Sequence, residues 1–264
     1  MLLVVDIGNT NVVFGIFEGS RLVTHFRFST DHHRTQDEYG VLLTSMLGSA
    51  AVDPRAIAAV AIASVVPPLT ETLRGMCQKR LRVDPLVVAP GVRTGMPILT
   101  DNPREVGADR IVNGVAAFER YRTEPGGPYG LIVVDFGTAT TFDVVSPKGE
   151  YLGGAIAPGV MIAAEALYER AAKLPRVDLV VPTSAIGKDT VSSMRAGIMF
   201  GYAALVDGMV ARMRRELDFE PKVIATGGLA PVVATCTTCI ERVDELLTLE
   251  GLRLISARNE KGDR

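Results

Sequence analysis

The 264-residue chain carries 28 basic and 30 acidic side chains, a formal net charge of −2. That balance excludes a bulk nucleic-acid binder, which needs a basic excess or stripe. A hydrophobic fraction of 47% and a mean hydropathy of +0.24 exclude a disordered chain and leave one large domain or two smaller ones, each with a real core.

In chain order, Leu2-Leu3-Val4-Val5 predicts a buried strand ending at Asp6-Ile7-Gly8-Asn9-Thr10-Asn11. Val12 to Phe17 and Leu22 to Phe28 are β-rich runs separated by Glu18-Gly19-Ser20, the pattern of an antiparallel hairpin. Gln36 to Leu47 predicts a helix, Ile57 to Ala63 a buried strand stopped by Pro67-Pro68, Leu69 to Leu81 a helix, and Leu86 to Val88 a short strand. Arg104 to Tyr121 reads as one long helix with Pro103 as its start signal. A linker, Thr-Glu-Pro-Gly-Gly-Pro at 123–128, then divides the chain, giving expected halves 1–122 and 123–264.

The second half begins as the first does. Leu131-Ile132-Val133-Val134-Asp135-Phe136-Gly137-Thr138-Ala139 repeats the opening nine-residue pattern, with Asp135 lying 129 residues after Asp6 (135 minus 6). Strand-like runs again follow at Thr140 to Val145 and Tyr151 to Ile156, so each half is expected to open with a three-stranded meander. Val160 to Ala172 and Thr190 to Leu217 predict helices, Val223 to Ala225 a strand, and Leu249 to Arg258 a closing helix.

The longest apolar runs, Ile57 to Val66 and Ala196 to Val206, are shorter than a bilayer span, so no membrane contact is expected. The first residues lack a basic leader, and Asp6 interrupts the apolar run, which excludes a signal peptide. Cys77, Cys236 and Cys239 make no disulfide framework, and Cys236-Thr-Thr-Cys239 is half of a zinc-site spacing with no second pair. The expected compartment is the cytoplasm.

Taken alone, Asp6 is either the cap of a tight turn or a carboxylate that holds Mg²⁺, directly or through water, beside a phosphate on the turn's donors. The repetition at Asp135 decides for the second reading. A carboxylate behind four strand-forming apolar residues is costly unless paired or cation-bound, and two such turns predict a nucleotide in a cleft between the halves. Thr226-Gly227-Gly228 is either an adenosine wall or a plain strand-to-helix connection, and Pro158-Gly159 either an anion-facing helix start or a rigid turn. Locally, Asp109-Arg110 reads as a first-turn acid with a surface ion-pair partner rather than as a base with an anion clamp.

Together and in this order, the motifs resemble the type III pantothenate kinases, bacterial members of the actin, sugar-kinase and Hsp70 superfamily. The resemblance covers nearly the whole chain: Asp6 to Asn11, Pro90-Gly-Val-Arg-Thr-Gly95, Asn102 to Asn113 with Gly107-Ala-Asp-Arg110, Asp135 to Thr141, Gly153 to Gly159 and Thr226-Gly-Gly228. It implies an α/β fold of two duplicated ribonuclease H-like halves. It also implies a kinase that uses ATP to phosphorylate the primary hydroxyl of pantothenate, the first step of coenzyme A synthesis. Carried over by motif, Asp6, Ile7, Gly8, Asn9, Thr10, Asn11, Val12 and Val13 would hold the ATP phosphates, and Thr138 would contact ATP. Asp135 would bind a monovalent cation, K⁺ or NH₄⁺. Gly107, Ala108, Asp109 and Arg110 would hold pantothenate, with Asp109 as proton acceptor, and Thr190 would contact substrate. Thr100 stands where many members carry tyrosine, and is carried as a substrate contact. The family also implies a homodimer. Two competing readings are another small-molecule kinase of the superfamily and a nucleotide-binding regulator without turnover.

Overall fold

The computed structural model describes residues 1–260. Its strands are β1 (Leu2–Ile7), β2 (Asn11–Glu18), β3 (Arg21–Ser29), β4 (Ala59–Ser64), β5 (Leu86–Val87), β6 (Gly130–Phe136), β7 (Ala139–Val145), β8 (Tyr151–Pro158), β9 (Pro221–Thr226) and β10 (Arg242–Val243). Its α-helices are α1 (Gln36–Ser49), α2 (Pro67–Leu81), α3 (Ala108–Tyr121), α4 (Val160–Arg170), α5 (Thr190–Glu216), α6 (Ala230–Val233) and α7 (Leu247–Glu260).

The strands form two five-stranded mixed sheets, ordered β3-β2-β1-β4-β5 and β10-β9-β6-β7-β8. Read from β8, the second order repeats the first. In each sheet an antiparallel meander is extended by parallel strands beside its first strand. Each meander also carries a register shift near its far end, at Ile16/Phe17 and at Val144/Val145. The sequence repeat is thus a repeat of topology.

By packing, one compact unit comprises Met1–Met96, Asp101–Ala116 and the chain from Leu247, and the other Pro97–Thr100 and Ala117–Leu246. The closing helix therefore belongs with the first sheet, although it lies far along the second half of the sequence. The physical reason is the central position of β1, whose Leu3, Val4, Val5 and Ile7 are all fully buried. Such a strand needs cover on both faces, and each fully buried side chain of this size is worth about 1.5–3 kcal/mol. Leu3, Val5 and Ile7 join the core shared with α1 and α2. On the other face Val4 and Leu249 of α7 both crowd Gly15, where an added Cβ would lie 3.0 and 3.1 Å from them.

Local signals account for the helix ends. Thr35 and Glu38 close a capping box on α1, with Glu38 Oε2 accepting from the Thr35 N–H at 2.7 Å. Asp189 and Ser192 do the same for α5. Each box satisfies amides that would otherwise be orphaned, for about 1 kcal/mol. One expected helix start is corrected. Pro103 opens only a 3₁₀ turn, Pro103–Glu105, after which Val106 is extended and α3 begins at Ala108. The longest of the described helices is α5. Its 27 residues are long and apolar enough to cross a bilayer by length and composition, because the uninterrupted runs counted in the sequence ignore how few charges interrupt it. Ile198, Met199, Tyr202, Val206 and Val210 of this helix belong to the core of the second unit.

Candidate functional site

In the first unit, β1 delivers Asp6 half-buried at its carboxyl end, and the exposed turn Asn9-Thr10 follows. Strand alternation places Asp6 on the Val4 face, away from the α1–α2 core. Gly8 donates its N–H to the Asn11 carbonyl at 2.9 Å, so the donors this turn offers a ligand begin at Asn9. Ile7 and Val12 point into the core, and Val13 is half-buried on β2. Any part the first two take in nucleotide binding is therefore a backbone part. Sequence reasoning missed Thr30, just past β3. Its hydroxyl donates to the Gly8 carbonyl at 2.6 Å, and its N–H donates to the Thr10 carbonyl at 2.9 Å. Only the hairpin pairing of β2 and β3 could have signalled it.

The same unit holds Gly107-Ala108-Asp109-Arg110 at the start of α3. The Asp109 carboxylate folds back over Gly107, where a Cβ would stand 2.5 Å from Oδ1, so this position admits no side chain without movement. Asp109 Oδ1 accepts from the Arg110 N–H at 2.8 Å. Burial raises the Asp109 pKa above the ordinary carboxylate range, opposed by that backbone bond and by the Arg110 charge. Asp109 is half-buried rather than an open surface acid, and Arg110 is half-buried as well, which departs from the local surface-pair reading. The helix is docked by α7. The backbone of Val112 lies so close to Gly251 that a Cβ there would collide with the Val112 carbonyl, and Thr248 donates to Asn113 Oδ1 at 2.8 Å.

In the second unit, Asp135 stands half-buried near the end of β6, opposite Thr141 of β7 and Thr226 of β9. Gly227 has a φ of +91°, and a Cβ there would stand 2.5 Å from Asp135 Oδ1 and 2.7 Å from the Phe136 backbone. Glycine thus lets this backbone close against the Asp135 carboxylate, where a side chain would collide. Gly159, the N-cap of α4, lies against the Gly137 and Thr138 carbonyls so closely that no Cβ fits. Thr141 donates to Asp143 Oδ2 at 3.0 Å and the Tyr151 hydroxyl to Oδ1 at 2.7 Å, which explains a fully buried carboxylate on β7.

Thr100 belongs to this unit because Pro97–Thr100 runs beside the start of β8, with Leu99 N–H donating to the Tyr151 carbonyl at 2.8 Å. Its hydroxyl is buried and without a hydrogen-bond partner. Thr190 is exposed at the first turn of α5 and lines a groove of about 600 Å³ with Leu167, Gly187, Lys188 and Ser193.

Among the described residues no group of three or more His, Cys, Asp or Glu side chains could hold a metal ion. Single carboxylates remain, Asp6 and Asp135, and this donor set fits cations completed by phosphate and water oxygens rather than by a protein cage.

The sequence profile described as type III pantothenate kinase matches residues 2–212. The chain belongs to this family. It is 56% identical to a type III pantothenate kinase of Myxococcus xanthus, over 98% of this chain and 99% of that one. It is 58% identical to one from Anaeromyxobacter sp., over 98% and 100%. Among solved structures it resembles a Campylobacter jejuni protein described as a conserved putative Baf family transcriptional activator. That match has a TM-score of 0.62 and 21% identity, over 98% of this chain and 99% of that one, a likeness of fold. Two mixed five-stranded sheets of matching topology, with their helices, agree with the α/β expectation.

Proposed function

We propose that the chain is a kinase, transferring the γ-phosphoryl group of ATP to the primary hydroxyl of pantothenate, the first step of coenzyme A synthesis. The observation that carries this is Asp109: a half-buried carboxylate with a raised pKa, folded over Gly107 at the start of α3, in the motif of a family to which the chain belongs. A raised pKa brings a carboxylate closer to the useful range for taking a proton near neutrality.

In this reading the turn from Asp6 to Val13 binds the ATP phosphates, and Thr138 contacts the nucleotide. Asp6 holds Mg²⁺, directly or through a water in its shell, and Asp135 holds K⁺ or NH₄⁺. When bound, such cations neutralise charge on the transferring phosphoryl group, the larger part of catalysis in this reaction class. Gly107 to Arg110 bind pantothenate, and the Asp109 carboxylate accepts the proton of the attacking hydroxyl. Thr190 contacts substrate, and the orphaned buried hydroxyl of Thr100 supports a polar contact there in place of the family's tyrosine ring.

A homodimer is part of the proposal. Of the exposed large hydrophobic side chains, Ile156, Met161, Ile162, Leu167, Val180, Val181 and Ile186 fall within one stretch of the second unit, a concentration that favours a partner surface. The proposal has no nucleic-acid or membrane partner and places the protein in the cytoplasm.

The deciding experiment is ADP release from ATP with pantothenate, with sugars and with no acceptor, each with and without K⁺. Pantothenate-dependent release that rises with K⁺ is expected. Preference for a sugar would make the chain a different small-molecule kinase, and tight ATP binding with no transfer would make it a regulator.

A further inference from the structure

The turn proposed to receive the ATP phosphates is held from outside itself. Within it, a backbone bond runs from Gly8 N–H to the Asn11 carbonyl. The Gly8 and Thr10 carbonyls are both taken by Thr30, through hydroxyl and N–H respectively, at 2.6 and 2.9 Å. These bonds orient more than the carbonyls. A trans peptide is planar, so its C=O and N–H point in opposite directions. Pinning the Gly8 carbonyl therefore fixes the Asn9 N–H, which shares its peptide plane, to point away from Thr30. Pinning the Thr10 carbonyl does the same for the Asn11 N–H. A backbone phosphate cradle depends on such N–H directions being set before the ligand arrives.

We propose that Thr30 is a positioning residue for nucleotide binding: its hydroxyl latches the Gly8 carbonyl and so presents the Asn9 N–H to a phosphate oxygen. The inference rests on the reading that this turn takes the phosphates. Thr30 itself touches no ligand in this scheme. The strand register explains why a threonine serves. Asn11 pairs with Ser29, the last residue of β3, which brings the residue after it alongside the turn, and a β-branched side chain keeps few χ1 choices. Valine has the same shape and lacks the donor. Serine keeps the donor with more rotamer freedom.

The test is steady-state kinetics and calorimetric titration of ADP on wild type, Thr30→Val, Thr30→Ser and Asp6→Asn. Thr30→Val keeps the backbone bond to Thr10 and loses only the hydroxyl bond. We expect its KM for ATP to rise and its ADP affinity to fall about five- to tenfold, the worth of one hydrogen bond. The pantothenate KM should stay within about twofold, and Thr30→Ser should lie close to wild type, the split that distinguishes orientation from general loosening. The inference is overturned if Thr30→Val leaves ATP and ADP binding unchanged, if it raises both substrate KM values alike, or if serine fails to rescue. Should Asp6→Asn also leave nucleotide binding untouched, the phosphate reading of the turn fails with it. If Asp6→Asn weakens nucleotide binding and Thr30→Val does not, only the latch is lost.

Discussion

The turns after β1 and β6 share a sequence grammar and differ in how they are fastened. The first is tied by a side chain, Thr30, reaching in from just past a neighbouring strand. The second is tied by the absence of side chains. Gly227 and Gly159 let backbone segments press against Asp135, Phe136 and Thr138 at distances no Cβ allows. A hydrogen-bonded latch can be weakened in small steps, whereas a glycine contact is kept or broken. A duplicated fold has therefore kept its topology while its two turns acquired different tolerances to change.

The largest effect that would sharpen this contrast lies in the carboxylates. Asp109→Asn should lower kcat by roughly 10²- to 10⁴-fold, the usual range for a general base, with ADP affinity retained. Asp135→Asn should instead raise the K⁺ concentration needed for half-maximal rate. Near-normal turnover in Asp109→Asn would take that residue out of the base role. The same group sets a pH dependence. Because the base must be ionised, kcat/KM should fall with decreasing pH through a value above the ordinary ~3.9 of aspartate, and the proton-acceptor reading loses its support if that acid limb sits lower. The stability sign is opposite. Asp109 holds its proton more tightly folded than unfolded, so its favourable contribution is complete below the unfolded pKa and is lost as pH rises through the folded one. The Asn variant should therefore show no loss of stability at pH 7, read from urea midpoints.

Next in size is the pair of glycine variants. Gly227→Ala combines a left-handed φ with close backbone approach and should cost about 3 kcal/mol. Gly8→Ala meets a single 3.1 Å contact without a left-handed φ and should cost about 1 kcal/mol or less. Equal urea midpoints for the two variants would break the proposed difference in tolerance. The smallest effect concerns a second threonine. Thr140 lies fully buried on β7 with its hydroxyl unpartnered, so Thr140→Val should raise stability by about 1 kcal/mol. Destabilisation there would reveal a partner for that hydroxyl.

Much of this was legible in the chain itself, and the limits have physical causes. The repeat from Asp6 to Asp135 announced two matching meanders, because apolar runs, turn residues and spacing are local properties. Pro103 misled about α3: proline favours a helix start, yet the following Val106 and Gly107 deferred the α-helix to Ala108. The pairing of Arg242–Val243 with β9 is two residues long and leaves no periodicity to read. Asp109 looked like a surface acid because burial depends on what packs over it in three dimensions, which its local sequence does not encode. Thr30 was missed for the same reason: its meaning lies in a register 22 residues from Gly8.

The docking of α7 on the first sheet has a kinetic consequence. Val4 lies on the β1 face toward Leu249, some 245 residues later in the chain. At a ribosomal pace of roughly 5–20 residues per second, that interval is on the order of ten to fifty seconds. During this time a nascent first sheet has one oily face without its final cover, and it becomes a finished object only once Leu249 has been made.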